Sequence, residues 1–268
     1  MSHFTVAIIT DGKPTYETIE KILAPYQENN MGDCPREFME FYSGTKNHAE
    51  EYENETKEFK AKYPTLNKYL EEYYGYRYDE EQQDYGYWEN PNAKWDWWQI
   101  GGRWAGSLTI EENNENFGIG SQSLFAKGNR YEIENGYKKV DSARIKDFVF
   151  LNRESKYNKA KRFWEMKVEG KEPITEDEKE SLKWAWHNAE YYTNTFKDKE
   201  TYAECEATFC TFALIHKDGK WYEKGEMGWW GISSSEEGQE LAYIKNYKKL
   251  VFDNAEDNDY ITIVDCHI

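Results

Sequence analysis

Residues 4–9 read Phe-Thr-Val-Ala-Ile-Ile, and the turn signal Asp11-Gly12 follows this apolar, β-branched run almost at once. A continuous apolar run that ends at a turn signal is typical of a strand that is covered on both faces. At the other end of the chain, residues 260–268 form a second apolar run. We therefore predict that strands from the two chain ends contribute to the sheet of this protein.

The stretch between residues 208 and 223 carries the clearest hairpin pattern in the chain. Residues 208–216 form a strand candidate, Lys217-Asp218-Gly219-Lys220 has the composition of a two-residue turn, and Trp221 begins the return strand. Such a turn between two apolar runs is typical of a β-hairpin. A central segment, residues 95–110, also has strand-like ends.

Helical patterns occupy much of the remaining chain. Residues 142–166 and 175–196 are amphipathic, and Thr175 followed by Glu178 has the spacing of a capping box. Residues 35–78 also have a helical pattern. We predict an α+β fold with a mixed or antiparallel sheet built from N-terminal, central and C-terminal strands. The chain is interpreted as a single domain, residues 1–268, with a helical insertion or lid over residues 141–204.

Composition restricts the class of partner. The 268 residues include 51 acidic and 34 basic side chains, which gives a formal net charge of −17. Such a charge argues against non-specific binding to nucleic acid, because phosphates would be repelled. No stretch is apolar enough to span a membrane, and no secretory signal pattern precedes the first strand. We expect a cytosolic protein whose four cysteines are reduced.

Four segments resemble a family of bacteriophage and bacterial proteins that has no assigned activity. The segments are MSHFTV at residues 1–6, WDWWQIGGRW at residues 95–104, GEMGWWG at residues 225–231 and TIVDCHI at residues 262–268. Membership would imply a phage or prophage accessory protein that acts in the host cytosol. The resemblance implies a biological context, and the chemistry has to come from the side chains.

The central segment supplies the first candidate binding site. Two adjacent glycines allow the backbone to approach a ligand and can turn N–H groups toward an anion. An arginine fork suits phosphate, and indole rings stack on bases. The candidate ligand-binding residues here are Trp97, Trp98, Gly101, Gly102, Arg103 and Trp104. The alternative interpretation is a glycine bulge in an aromatic-rich sheet, with Arg103 in a structural role.

The segment at residues 225–231 supplies the second candidate. Glu226 could accept hydrogen bonds from ribose hydroxyls or from an exocyclic amine, beside the rings of Trp229 and Trp230. It could equally form a structural ion pair with Arg103.

Asp265-Cys266-His267 is the third candidate, because it would lie near His3 if the terminal strands pair. Adjacent residues in a strand point to opposite faces, so Cys266 and His267 cannot act as a nucleophile and base pair. Asp265, His267 and His3 could still offer acid–base or metal-binding groups. On sequence alone we assign no residue a catalytic role, and we expect no cofactor and no metal.

We favour a phage counter-defence protein that sequesters a nucleotide-derived immune signal, such as a cyclic nucleotide or an ADP-ribose derivative, without turnover. This hypothesis rests on the Trp-rich Gly-Gly-Arg segment, on the poor case for a catalytic dyad and on the phage context that the resemblance implies. One alternative is an acidic inhibitor that blocks a host defence protein by direct contact. Another alternative is a hydrolase that cleaves a nucleotide, with Glu226, Asp265 or His267 as its acid–base group.

Overall fold

A computed structural model describes residues 2–120, 135–228, 233–236 and 238–268. The chain forms two compact units, one of Met1–Ile19 with Trp97–Ile268 and one of Glu20–Asp96. The fold class is α+β, as predicted. One domain across both units stays a prediction.

Within the described residues, the strands are β1 (His3–Asp11), β2 (Glu40–Ser43), β3 (Arg77–Asp79), β4 (Asp84–Glu89), β5 (Trp97–Ile100), β6 (Leu108–Glu111), β7 (Tyr137–Val140), β8 (Ser142–Arg144), β9 (Ala213–Ile215), β10 (Trp221–Glu223), β11 (Glu226–Met227), β12 (Ser233–Ser234) and β13 (Asp259–His267). The α-helices in the same residues are α1 (Tyr16–Leu23), α2 (Gly44–Asn54), α3 (Lys57–Lys62), α4 (Leu66–Glu72), α5 (Arg153–Lys167), α6 (Glu176–Lys183), α7 (Ala189–Phe196), α8 (Lys199–Ala207) and α9 (Gln239–Lys248).

The first unit is built on a mixed sheet with the strand order β10, β9, β1, β13, β5, and β8 also pairs with β13. Strands β1 and β13 are antiparallel over their full length, with His3 opposite His267 and Asp11 opposite Asp259. Strand β9 is parallel to β1, and β5 is antiparallel to β13. The N-terminal, central and C-terminal strands therefore form one sheet, as the sequence predicts.

One face of this sheet carries the main hydrophobic core. Ala7, Ile9, Ile261, Ile263 and Leu214 lie on it and pack into a cluster with side chains of α5, α7, α8 and α9. Eight of the nine residues of β13 are buried, and only His267 at its end is partly exposed. Because both faces of β13 are covered, residues 260–264 are apolar except for the buried Thr262, and they do not alternate with exposed polar residues.

The hairpin predicted around Gly219 is confirmed. Strands β9 and β10 pair antiparallel, and Gly219 has a φ of 75° in the turn between them. The capping box is also confirmed, because the Thr175 hydroxyl accepts a hydrogen bond from the Glu178 N–H.

The helix boundaries in the middle of the chain differ from the prediction. Helix α5 starts at Arg153 and not at Ser142, because Ser142 is paired in β8 and its buried hydroxyl bonds to Thr262 of β13 at 2.8 Å. The predicted helix at 175–196 is two helices, and Asn188 caps the second by accepting from the Tyr191 N–H. Sheet pairing and a new cap therefore override the amphipathic pattern.

The second unit consists of α2, α3 and α4 with the antiparallel sheet β2, β4, β3. The sequence predicts helix throughout residues 35–78, so strand β2 within that range corrects this prediction. The tyrosines of the second unit pack on one another, with Tyr69 fully buried and the Tyr74 hydroxyl donating to Glu51 at 2.8 Å.

The helices of the described chain are all too short or too polar to cross a membrane.

Candidate functional site

One end of the central sheet gathers parts of the four segments that the sequence singles out. His3 at the start of β1 lies opposite His267 of β13, and His267 lies opposite Trp97 of β5. The Ser2 hydroxyl donates to the Gly228 carbonyl at 2.8 Å, which brings the chain after β11 to the same end. We call the set of His3, Trp97, Arg103, Asp265 and His267 the terminal-strand site.

Asp265 lies at the centre of this site and is completely buried. Its Oδ1 atom lies 2.8 Å from His3 Nδ1, and its Oδ2 atom accepts from the Arg103 backbone N–H at 2.9 Å and from Gln99 Nε2 at 3.4 Å. A buried carboxylate needs such donors, because it has lost the water that would otherwise solvate it. The carboxyl group of Asp265 is therefore held at a fixed position by contacts with three residues.

The carboxylate also fixes the chemistry of the His3 ring. An ionised carboxylate only accepts hydrogen bonds, so Nδ1 of His3 must carry the proton that it donates to Asp265. In neutral His3 the lone pair is then on Nε2. The His3 side chain keeps 16% of its surface exposed. Asp265 thus fixes the orientation of the His3 imidazole, and the ring can accept a proton at Nε2.

A second imidazole lies beside the first. The ring centroids of His3 and His267 are 4.9 Å apart, with an angle of 70° between the ring planes. The indole of Trp97, which follows His267 across the sheet, makes an edge contact with His3 at a centroid distance of 6.0 Å. Because both histidines and Trp97 lie on one sheet face, two titratable rings and one large aromatic ring border the same region.

Gly101 and Gly102 bring the backbone against two buried carboxylates. A Cβ atom on Gly102 would lie 2.3 Å from Asp265 Oδ2, and one on Gly101 would lie 2.6 Å from the Asp141 carboxyl carbon. Both glycines have positive φ, 65° for Gly101 and 49° for Gly102. Glycine is therefore required here both by the backbone conformation and by the close approach.

The N–H groups of this turn already have acceptors inside the protein. The Arg103 N–H donates to Asp265, and the Gly106 N–H donates to Asp141 at 2.6 Å. The Gly101 N–H donates to the Ile263 carbonyl at 2.8 Å. These donors bind the carboxylates and the sheet of the protein itself. The predicted backbone cradle for a phosphate is therefore occupied by internal acceptors at these three donors.

The three candidate tryptophans of the central segment lie in three different environments. Trp97 is 46% exposed on the face of His3. Trp98 points to the opposite face, where it stacks on Tyr16 at 4.7 Å, and Trp104 packs against the hydrophobic core. A clamp made of Trp97 and Trp98 is therefore not formed, and Trp97 alone faces the terminal-strand site.

Arg103 is exposed, and its guanidinium forms no hydrogen bond or ion pair with a described residue. The backbone N–H of Arg103 bonds to Asp265, so its side chain starts next to the carboxylate that contacts His3. In a chain of net charge −17, this places a cation with free donors at the edge of the site.

Glu226 lies in β11 opposite Ser234 and is exposed. It has no ion pair with Arg103 or with any other described side chain, so the predicted structural pair is not formed there. Trp229 and Trp230, which the sequence also proposes as ligand-binding residues, lie outside the described residues.

Cys266 is fully buried and points away from the site, as strand alternation requires. Burial raises the pKa of its thiol well above the ordinary value, with a smaller contribution from the charge of Asp265. A thiol that stays protonated is a poor nucleophile, so Cys266 has no place in the chemistry of the site.

Gln99 and Asp141, which position the carboxylate and the glycine turn, are not among the predicted site residues. The position of His3 near Asp265 could be predicted, because antiparallel pairing of the terminal strands places the first and last strand residues opposite each other. Among the described residues, no group of three His, Cys, Asp or Glu side chains is arranged to hold a metal ion.

Comparisons with known proteins found no family model that matches the chain, and no curated protein or solved structure that matches it significantly. The function is therefore inferred from the terminal-strand site itself.

Proposed function

We propose that this protein hydrolyses a phosphate ester bond in a nucleotide-derived molecule at the terminal-strand site. The observation that carries the proposal is the contact of His3 Nδ1 with the buried carboxylate of Asp265 at 2.8 Å. A carboxylate that holds one imidazole nitrogen and frees the other is the arrangement that acid–base catalysis requires.

His3 acts as the general base in this proposal. Its Nε2 accepts a proton from a water molecule, and the resulting imidazolium is stabilised by Asp265 through Nδ1. A positioned general base of this kind accelerates a reaction by about 10²–10⁴-fold. Asp265 is a positioning residue, because it contacts His3 and not the substrate.

His267 acts as the general acid, since its ring lies 4.9 Å from that of His3 on the same sheet face. The water oxygen forms a bond to phosphorus, and the bond from phosphorus to the leaving ribose oxygen breaks. Protonated His267 gives its proton to that leaving oxygen, while His3 keeps the proton of the water. For a phosphodiester substrate the products are a phosphate monoester and a free hydroxyl, and proton exchange with solvent restores both rings.

Arg103 and Trp97 would hold the substrate. The exposed guanidinium can bind two phosphate oxygens at once and offset the negative charge that develops on them. The half-exposed indole of Trp97 offers a flat surface on which a base can stack, and such stacking contributes about 1–3 kcal/mol per base. The nucleotide class of substrate rests on these two side chains.

The test is incubation of tag-free protein with cyclic mononucleotides, cyclic dinucleotides and ADP-ribose derivatives, followed by anion-exchange chromatography and mass spectrometry. We expect conversion of at least one compound, and a rate at least about 100-fold lower for His3→Gln. The matched control is His216→Gln, because His216 is a partly buried histidine of the β9–β10 turn. Equal rates for wild type and His3→Gln would refute the role of His3.

Capture without turnover is the second candidate, and it is the function favoured by the sequence. The observation that supports it is that Arg103 and Trp97 offer binding groups that need no proton transfer. Recovery of an intact nucleotide at fixed stoichiometry, with no product after prolonged incubation, would select this candidate. In either case, we propose that removal of a nucleotide-derived immune signal is a counter-defence role, which fits the phage context that the family resemblance implies.

Inhibition of a host defence protein by direct contact remains the third proposal, and the net charge of −17 is what supports it. Binding would then weaken steeply with salt and would not depend on Arg103. Capture of host defence proteins on the immobilised chain over a range of salt concentrations, with wild type and Arg103→Ala side by side, tests this candidate.

A further inference from the structure

A cavity of about 500 Å³ lies in the first unit, beside β6, β7 and the first turn of α5. It shares no residue with the terminal-strand site. We call it the basic groove and define it by the side chains that carry the argument, which are Tyr137, Lys139, Phe148, Phe150, Arg153 and Lys156.

The charge of the basic groove is opposite to that of the chain. Three cationic side chains line it, and the described lining residues include no Asp or Glu. Lys139 is exposed and forms no ion pair with a described residue. Lys156 is also exposed, but its charge interacts with Glu206, and Arg153 is paired with Glu204 at 2.5 Å. In a protein with 51 acidic residues, two exposed ammonium groups around one cavity are a local attraction for an anion.

Aromatic rings form the apolar part of the groove. Phe148 contacts Phe150 with ring centroids 4.5 Å apart and contacts Phe209 at 5.2 Å. Phe150 remains 39% exposed although it belongs to this cluster. Exposed phenyl surface beside a cation suits a ligand that combines a planar ring with a negative charge.

We propose that the basic groove binds a mononucleotide, with its phosphate at Lys139 and Lys156 and its base against Phe150. The volume lies within the range of about 300–1,000 Å³ that small-molecule sites occupy. Ser107 and Thr109 also line the cavity. The Thr109 hydroxyl can donate to the ribose, and the Ser107 hydroxyl, which already donates to the Trp104 carbonyl, can accept from it. This binding site is additional to hydrolysis at the terminal-strand site and does not depend on it.

Isothermal titration calorimetry with AMP, adenosine and inorganic phosphate tests the proposal on the full chain. We expect AMP to bind with a Kd below about 1 mM and more tightly than either adenosine or phosphate, because both halves of the groove are then used. Lys139→Glu and Lys156→Glu should each weaken AMP binding by about tenfold or more, and Phe150→Ala should weaken it by about tenfold.

Matched controls separate the groove from the general charge of the protein. Lys159→Glu makes the same charge change as Lys156→Glu and lies in the same helix, α5. Lys138→Glu makes the same charge change as Lys139→Glu and lies in the same strand, β7. Neither Lys159 nor Lys138 lines the groove. Both should bind AMP within about twofold of wild type. No binding of AMP, or equal weakening by the controls, would overturn the proposal. Loss of AMP binding in His3→Gln with full binding in Lys156→Glu would place AMP at the terminal-strand site and would also overturn it.

Discussion

The Nδ1 atom of His3 lies 2.8 Å from the Oδ1 atom of Asp265, although the two residues are 262 positions apart in the chain. Antiparallel pairing of β1 with β13 creates this contact, since Thr5 is the register partner of Asp265 and His3 is that of His267. Strand alternation puts all four residues on one face. The acid–base pair is therefore a product of how the terminal strands pair.

Replacing Asp265 by Asn tests whether the carboxylate positions His3. The amide keeps the shape but loses the charge that holds the proton on Nδ1, so we expect kcat to fall by about 10²–10⁴-fold. Binding of uncleaved nucleotide should change by less than about threefold, because Asp265 does not contact the substrate. Steady-state kinetics and equilibrium binding measure the two effects separately. An unchanged kcat in a folded variant would remove Asp265 from the mechanism.

Replacing Gly102 by Ala tests the packing of the glycine turn on Asp265. The new Cβ would lie 2.3 Å from the carboxylate oxygen and would also meet a positive φ of 49°, so we expect destabilisation by about 2–4 kcal/mol. Gly219→Ala is the matched control, because Gly219 has a positive φ of 75° but no atom within 4 Å of the added Cβ. Urea unfolding should show a clearly smaller loss for the control, and equal losses would contradict the close approach.

Cys266 should be irrelevant to activity. Because burial raises the pKa of its thiol, native protein should not react with iodoacetamide at this position at neutral pH. Peptide mapping after alkylation checks the labelling. Cys266→Ala should retain kcat within about threefold, since the side chain lies on the face opposite to the histidines. Rapid labelling together with loss of activity would instead indicate a nucleophilic thiol.

The ion pair between Arg162 and Glu178 gives a prediction about pH. Arg162 Nε lies 2.9 Å from Glu178 Oε1 and, with a backbone hydrogen bond from Ile174, lowers the pKa of Glu178 from 4.5 to about 2. A lowered folded-state pKa adds stability above the unfolded value of 4.5, and this stability is lost as the pH falls through about 2.

Glu178→Gln should therefore lower the Tm at pH 7, and the difference from wild type should shrink between pH 4.5 and pH 2. Thermal unfolding followed by circular dichroism measures it. Glu176→Gln is the control, because Glu176 is also paired with a lysine, Lys179, but is 87% exposed, so its Tm should change little. A difference that stays constant with pH would contradict the pKa direction.

The sequence predicts the parts of this fold that depend on local pattern. The apolar runs of β1 and β13, the turn at Gly219 and the capping box at Thr175 all follow from neighbouring residues. Strand β8 was not predicted, because three residues are too few to show a strand pattern and the strand is held by pairing with β13.

In the candidate site, too, residue type can be read from the sequence, whereas contacts between distant strands cannot. Arg103, Trp97 and the glycines could be selected from residue type, but their acceptors depend on register between distant strands. The carboxylates of Asp141 and Asp265 occupy the N–H groups that sequence reasoning assigns to a phosphate. Residue types alone do not show whether the anion in such a turn is a ligand or a side chain.

The most direct test of the account is hydrolysis in H₂¹⁸O, with the product nucleotide analysed by mass spectrometry. If water activated by His3 attacks phosphorus, wild-type protein should place one ¹⁸O atom in the phosphate of the product. His3→Gln should give little or no labelled product in the same time. Intact nucleotide in both samples, or ¹⁸O found on the sugar instead of the phosphate, would contradict the proposed chemistry.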